Sequence, residues 1–272
     1  MLHVHKIASF DLPDLEPYRT MRRTQEQRDQ GIFIAEGEKV VRRLLESSLP
    51  VISLCLPEHW LRAYEPLLHA RPENEIHAFV ANKDVLEQLT GFSMYQGVMA
   101  VAKVPPAPKL DDVLAQATKP LLFVAVDGLS NAENLGVIIR NAAAFGASGF
   151  IGSETTCSPW LRRSVRSSMG TIFRLPVIES AQLVQTLHEL KRHGVHCVAA
   201  HPHTDEAVLS KAQLAGDCCI VLGSEGHGIR PEVLKLCDES VVVPMHPGVD
   251  SLNVAAASAV FLYEAARQRG KT

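Results

Sequence analysis

Five polar side chains, Asn134, Arg140, Glu225, Ser251 and Asn253, lie in three short stretches that each follow an apolar run. Two amides, a carboxylate, a hydroxyl and a guanidinium brought together would suit polar chemistry on a bound ligand. The first stretch, Asp127 to Asn141, leaves the run Leu121–Val126 and enters a helix. Ile138, Ala142 and Phe145 are expected to form the buried stripe of that helix. At about 100° per residue, Arg140 points nearly opposite Ile138, in line with Gly136 and Ala144. A solvated surface arginine would sit the same way, but the small neighbours suggest that something packs closely there.

The second stretch, Leu222-Gly-Ser-Glu-Gly-His-Gly-Ile229, leaves the run Cys218–Leu222. Its three glycines let the backbone approach a ligand or take positive φ, although a plain turn uses them equally well. Their order is G-x-x-G-x-G, not the dinucleotide G-x-G-x-x-G, and the chain has no G-x-x-x-x-G-K-[ST] phosphate loop. The third stretch spans Val241 to Ser258. Pro244 stops a short strand, Val241–Val243, and a turn with Pro247, Gly248 and Asp250 follows. Ser251-Leu252-Asn253 then opens an Ala-rich helix to about Arg267. Ser and Asn at that place are ordinary helix caps, since their oxygens accept the free N–H groups of the first turn. Side chains and spacing alone reach a ligand site in an α/β domain.

The elements that must position these loops read as follows. Residues 14–30 look helical, Ile32–Ile34 strand-like, and Val40, Val41, Leu44 and Leu45 mark one face of a helix. Strand-like runs recur at Val51–Leu56, Ile76–Val80 and Gln96–Val104, with helix-like runs near 58–69 and 83–90. The run Val104-Pro-Pro-Ala-Pro108 can continue neither a helix nor an inner strand. The expected division is a first α/β domain over 1–104, a linker region over 105–118 and a second domain over 119–272. A Pro-rich surface loop within one domain is the alternative. In the second half, strands at 121–126, 150–151, 172–178, 195–200, 218–222 and 241–243 alternate with helices, among them 158–169, 181–193 and 230–237. Apolar strands separated by helices imply a mostly parallel sheet covered on both faces, with ligands beyond the carboxyl ends of its strands.

At 272 residues the chain has room for two domains, and its formal charge of −3 excludes a wholly basic nucleic-acid binder. RNA, if bound, must meet local patches. The six cysteines show no C-x-x-C spacing and read as reduced thiols of a cytoplasmic protein, neither a metal site nor a disulfide frame. No signal-peptide core and no run long enough to span a membrane is expected. His201 and His203, with Asp205 nearby, could suggest metal but lie on a loop without a convincing third ligand, and His227 reads as a turn residue.

The three stretches resemble, in order and spacing, the signature motifs of the SpoU/TrmH branch of the SPOUT RNA methyltransferases. The first is carried by Asn134, Gly136, Arg140 and Phe145-Gly146, the second by Gly223 to Gly228. The third is carried by Pro244-Met245, Gly248 and Ser251 to Val254. Arg166 to Gly170, Leu175-Pro176-Val177 and Phe33 to Leu45 are also similar to the family, so the resemblance covers nearly the whole chain. The chain departs at Ala132, where the family often has Pro, and at Asn141, where Thr or Ser is usual.

The resemblance implies a C-terminal α/β domain with a trefoil knot, a homodimer and S-adenosylmethionine as methyl donor. It implies 2′-O-ribose methylation of structured RNA, with ribosomal RNA favoured over transfer RNA because of the small N-terminal α/β RNA-binding domain. It puts Arg140 next to the 2′-hydroxyl, either as a base or as an electrostatic stabiliser of the forming alkoxide. Asn134, Glu225, Ser251 and Asn253 would orient it, and backbone at Ala200, Gly223, Val243 and Leu252 would hold the adenosine. Arg162, Arg163 and Arg166, in a segment without acids, would contact phosphates, as would Arg22 and Arg23 in the first domain. A catalytically silent RNA-binding or assembly factor on the same fold, and an enzyme using a nucleotide cofactor, are the competing classes. Arg140 and Asn253 stand against the former and the missing nucleotide fingerprints against the latter.

Overall fold

The computed structural model describes residues 1–82, 84–86, 97–204 and 207–270. The chain forms two compact units, Met1–Pro106 with Trp160–Phe173, and Ala107–Pro159 with Arg174–Thr272.

The first unit is built on strands β1 (Leu2–Lys6), β2 (Ile32–Glu36), β3 (Val51–Leu56), β4 (Ile76–Val80) and β5 (Met99–Lys103), in the order β1-β4-β3-β5-β2. β5 runs antiparallel to both of its neighbours, and the other pairings are parallel. One face buries Ile34, Cys55, Phe79, Met99 and Val101 against Leu15, Tyr18 and Met21. β1 was not anticipated from its alternating histidines. The stretch 14–30 is not one helix: it forms a 3-10 turn at Pro13–Leu15 and short helices Glu16–Arg19 and Thr24–Asp29. The Thr20 hydroxyl donates to Glu16 O at 3.0 Å, so a back-bonding side chain stands where the helix stops. Most of the helix-like run 83–90, and Gln96, lie outside the described residues.

Phe33 anchors Trp160–Phe173 to this unit, with ring centroids 5.1 Å from Trp160 and 5.6 Å from Phe173. Arg43 Nη1 donates to Met169 O at 2.5 Å. The basic helix in this segment spans Arg162–Ser167. The run read as one strand over 172–178 is instead a 3-10 turn, Thr171–Phe173, followed by strand Val177–Glu179, because Pro176 has no N–H for a continuous ladder.

Arg71 is the polar centre of the first unit. Its side chain, 3% exposed, pairs with Glu73 at 2.5 Å and donates to Leu45 O at 2.7 Å, Ser47 O at 3.0 Å and Leu49 O at 2.6 Å. It thereby satisfies carbonyls at and beyond the end of helix Glu38–Leu45. Burial alone would raise the Glu73 pKa, but the Arg71 guanidinium and the Val51 N–H hold it below the ordinary carboxyl value. Arg71→Ala is expected to destabilise the protein by about 3 kcal/mol, since a half-buried carboxylate and several carbonyls lose their partner. Urea unfolding would measure it. Because the folded pKa of Glu73 is lowered, its contribution is complete above the unfolded carboxyl pKa of about 4.3 and fades as pH falls through the folded value.

The second unit holds β6 (Leu122–Asp127), β7 (Gly149–Gly152), β8 (Val177–Glu179), β9 (His196–Ala200), β10 (Ala207–Val208), β11 (Cys218–Gly223) and β12 (Glu239–Val242). They form one sheet in the order β10-β12-β9-β11-β6-β7-β8, with every pairing parallel. All of β6 is buried, as a central strand covered on both faces requires. Helix Leu183–Arg192 packs Leu183, Leu187 and Leu190 on one face of the sheet. Residues 110–116, placed by the sequence reading in a linker region, form a helix whose Leu110 and Val113 join the same core.

Cys55, Cys197, Cys218 and Cys219 are buried free thiols, and Cys157 and Cys237 are half-buried. Burial pushes the Cys55 thiol up to about 12 and the Cys218 thiol up to about 11. Such thiols are protonated and unreactive at neutral pH. No described helix is long and apolar enough to cross a membrane.

Candidate active site

The three loops leave the carboxyl ends of β6, β11 and β12, strands of one parallel sheet, and so gather along one edge. In the first loop Asn131, in extended conformation, accepts hydrogen bonds from Glu133 N at 2.9 Å and Asn134 N at 3.1 Å. This caps helix Ala132–Ala144 and fixes Asn134 in its first turn. Leu135, Gly136, Ile138, Ile139 and Ala142 are its buried residues. Phe145, expected in that stripe, is only half-buried, because it follows the helix and meets Tyr263 edge-on at 6.4 Å. Asn141, one of the departures from the family, donates to Ala255 O at 3.0 Å and Ser258 Oγ at 2.9 Å. It joins this helix to helix Val254–Gln268.

The second loop folds back on itself. Ser224 N donates to Gly228 O at 3.1 Å and Gly228 N returns to Ser224 O at 2.9 Å. The hairpin leaves no room at Gly223, where a Cβ would lie 2.2 Å from Gly228 C. Glu225 stands exposed in the turn. In the third loop Asn253 Oδ1 accepts from Ala255 N at 3.0 Å and Ala256 N at 3.3 Å. The helix therefore begins at Val254, with Asn253 as its cap.

These caps and turns bring three of the five polar residues together. Asn134 Nδ2 donates to Glu225 Oε1. Asn253 Nδ2 donates to Glu225 Oε1 at 3.3 Å and to Asn134 Oδ1 at 3.4 Å. Asn253 thus spends its oxygen on the helix and its amide on the cluster. Ser251 is exposed and lines the cavity beside it. Arg140 is exposed, six residues beyond Asn134 on the same helix, hence about 9 Å further along the axis. It stands outside the Asn134–Glu225–Asn253 cluster.

A cavity of about 460 Å³ opens beside the cluster, and Ala200, Gly223, Val243 and Leu252 all line it. Leu222, Val241, Val254 and Phe261 supply apolar walls, and Ser224, Ser251 and Asn253 supply polar groups. That size and mixture suit a nucleoside-sized ligand. S-adenosylmethionine fits this chemistry: apolar walls can face the adenine, and the glycine hairpin presents bare backbone. His201, His203 and His227 also line the cavity. Asp205 lies outside the described residues, among which no cluster of metal-ligating side chains occurs.

Two residues that the sequence reading passed over stand at the base of the loops. Asp127 ends β6 with its side chain fully buried, and Arg230, just after the glycine hairpin, pairs with it. Hydrogen bonds to Asp127, and then to Glu154, hold the Arg230 guanidinium above its ordinary pKa. An acid ending a wholly apolar strand was the available signal.

The arginines assigned to RNA are placed variously. Arg162 is tied to Glu36 with its side chain 10% exposed, and Arg166 lies 3.4 Å from the same carboxylate. Arg163 and Arg22 are exposed, and exposed Arg23 pairs with Glu26 at 3.0 Å.

The SpoU rRNA Methylase family model matches residues 121–263. An uncharacterised tRNA/rRNA methyltransferase of Mycobacterium bovis is 31% identical, over 98% of this chain and 93% of that protein. The 23S rRNA (guanosine-2′-O-)-methyltransferase RlmB of Vibrio vulnificus is 30% identical, over 78% of this chain and 91% of its own. Among solved structures, the SpoU methyltransferase AviRb of Streptomyces viridochromogenes superposes with a TM-score of 0.79 at 27% identity, covering 93% of this chain and 96% of that one. The same protein has been solved in complex with the cofactor AdoMet, with a TM-score of 0.79 at 25% identity, over 93% of this chain and 97% of that one. With its three loops on one sheet edge inside the matched span, the chain belongs to the SpoU rRNA Methylase family.

Proposed function

We propose that this protein is an S-adenosylmethionine-dependent methyltransferase acting on a ribose 2′-hydroxyl of structured RNA, and that the RNA is ribosomal. The observation that carries the reading is the Asn134–Glu225–Asn253 cluster beside a cavity lined by Ala200, Gly223, Val243 and Leu252, in a chain of this family. S-adenosylmethionine supplies a methyl group already activated by the adjacent sulfonium charge. The chain has two tasks: to hold the hydroxyl oxygen in line and to assist loss of its proton. Asn134, Glu225 and Asn253 form a preorganised polar platform, and Ser251 adds a hydroxyl at its edge. Arg140 acts on the 2′-oxygen, as a base or by stabilising the alkoxide.

The reading includes a trefoil knot in the second unit, supported by the family likeness. It includes RNA binding by the first unit with Arg22, Arg23 and the segment carrying Arg162, Arg163 and Arg166. It also includes a cytoplasmic homodimer. The dimer is supported by an uncovered apolar face: Ala256, Val260 and Tyr263 are exposed on helix Val254–Gln268. A second copy seated there would lie beside the exposed Arg140 and Ala144 of the neighbouring helix.

Two measurements test the function. S-adenosylmethionine at about a hundred times its dissociation constant is expected to stabilise the fold by about 2.7 kcal/mol, read as a raised Tm. No heat of binding to folded protein at millimolar donor would remove the cofactor. Ribose-methylation maps of RNA from cells with and without the gene are expected to differ at a ribosomal position. A difference confined to transfer RNA would reassign the substrate, and no difference would favour a silent RNA-binding factor.

A further inference from the structure

We propose that Asp127 and Arg230 are positioning residues of methyl transfer: an ion pair between a buried carboxylate and a half-buried guanidinium that clamps together the stems of the two loops carrying Asn134 and Glu225. The inference rests on the function proposed above. Asp127 and Gly223, the last residues of β6 and β11, are register partners in adjacent strands, so the two loops start side by side. Hydrogen bonds within the sheet end there. Beyond that point Asp127 takes over. Its Oδ2 accepts Arg230 N at 2.8 Å and its Oδ1 accepts Arg230 Nε at 2.9 Å, with Nη2 at 2.8 Å as an ion-pair contact.

Arg230 also reaches sideways. Its Nη1 lies 2.7 Å from Glu154 Oε1, and Glu154 Oε2 accepts Leu183 N at 2.9 Å. The loops after β6, β7 and β11 are thus fastened at one point. Neither Asp127 nor Arg230 lines the cavity, so neither is a donor contact. What they can set is the separation of Asn134, seven residues after Asp127, from Glu225, five residues before Arg230. The Asn134–Glu225 hydrogen bond spans the two clamped loops. A displacement of about 1 Å in such a group costs on the order of a hundredfold in rate, whereas binding through the cavity walls tolerates it better.

The test uses Arg230→Lys, which keeps the charge and the backbone N–H but loses the fork, and Asp127→Asn, which keeps the shape. In folded full-length protein, the single-turnover rate at saturating donor and RNA is expected to fall roughly thirtyfold or more, with donor affinity within about threefold. In a Glu225→Ala background the same Arg230→Lys change is expected to cost little further rate, since the group it positions is gone. A merely structural pair would lower Tm and act additively in both backgrounds. A folded Arg230→Lys enzyme with near-normal rate, or an undiminished further loss beside Glu225→Ala, would overturn the proposal.

A second readout needs no turnover. The Asn134 side-chain amide resonances are expected to move toward solvent-exposed positions in Arg230→Lys, and to stay in place in an Arg71→Lys control. Unchanged Asn134 resonances in Arg230→Lys refute the clamp even if the wild type methylates nothing. An inactive wild type with the shifted resonances would instead remove the proposed function and leave the clamp standing.

Discussion

An Arg140→Ala variant is expected to keep its fold and its affinity for S-adenosylmethionine while losing about two to four orders of magnitude of methyl-transfer rate. The fold is safe because Arg140 is exposed and is not among the buried residues of its helix. Donor binding is safe because Arg140 does not line the cavity. The rate falls because a ribose hydroxyl attacks poorly until its proton leaves, and the guanidinium is the group assigned to that event. Arg140→Lys separates the two roles. Lysine retains a positive charge without the planar fork. Partial recovery of rate would identify charge stabilisation of the alkoxide, and no recovery would identify aligned guanidinium chemistry. Asn134→Ala is expected to lose less than Arg140→Ala. Asn253→Ala should also lower stability by about 1 kcal/mol, because it removes a helix cap as well as a cluster member. Single-turnover assays with saturating donor on the target RNA measure all four variants. A fully active Arg140→Ala enzyme would end its assignment.

The second large effect is expected at Gly223. An alanine Cβ there would lie 2.2 Å from Gly228 C and 2.3 Å from Ile229 N, both backbone atoms of the returning hairpin. No rotamer change relieves such a clash, so the hairpin must open. Gly223→Ala is therefore expected to weaken donor binding by at least about a hundredfold, and to cost about 1–3 kcal/mol of stability as overpacked sites do. Gly228→Ala is the control. Its φ is +67° but a Cβ would meet open space, so only conformational strain of about 1 kcal/mol is expected. Calorimetry and thermal unfolding read both variants. Normal donor binding by a folded Gly223→Ala protein would show that the hairpin does not shape the cavity.

The three loops were legible because each joins an apolar strand to a polar or glycine-rich turn, and both signals are local. Helix Val254–Gln268 with its Asn253 cap was likewise local, and so was the parallel sheet, from the long apolar runs. What the sequence hid is contact across long separations. The arginines at 162 and 166 looked free because no acid is near them in sequence, yet Glu36, more than a hundred residues earlier, takes both. The Asp127–Arg230 pair was hidden in the same way. β1 was obscured by its polar alternation: His3 and His5 sit where apolar residues would have marked a strand, and they stack on His77 of β4 instead.

The placement of Trp160–Phe173 in the first unit means that the chain passes between the units three times, at 106/107, 159/160 and 173/174. Neither unit is therefore one continuous stretch of sequence. A single protease nick among the prolines at 105–108 would cut one strand of a threefold tether. The C-terminal fragment would still carry the Trp160–Phe173 insert that clasps Phe33. A gene fragment ending near residue 106 would lack that insert and leave the Phe33 face bare. Dissecting the protein by truncation is thus a different operation from dissecting it by domain, and the severable piece is not the one that the linear order of the sequence suggests.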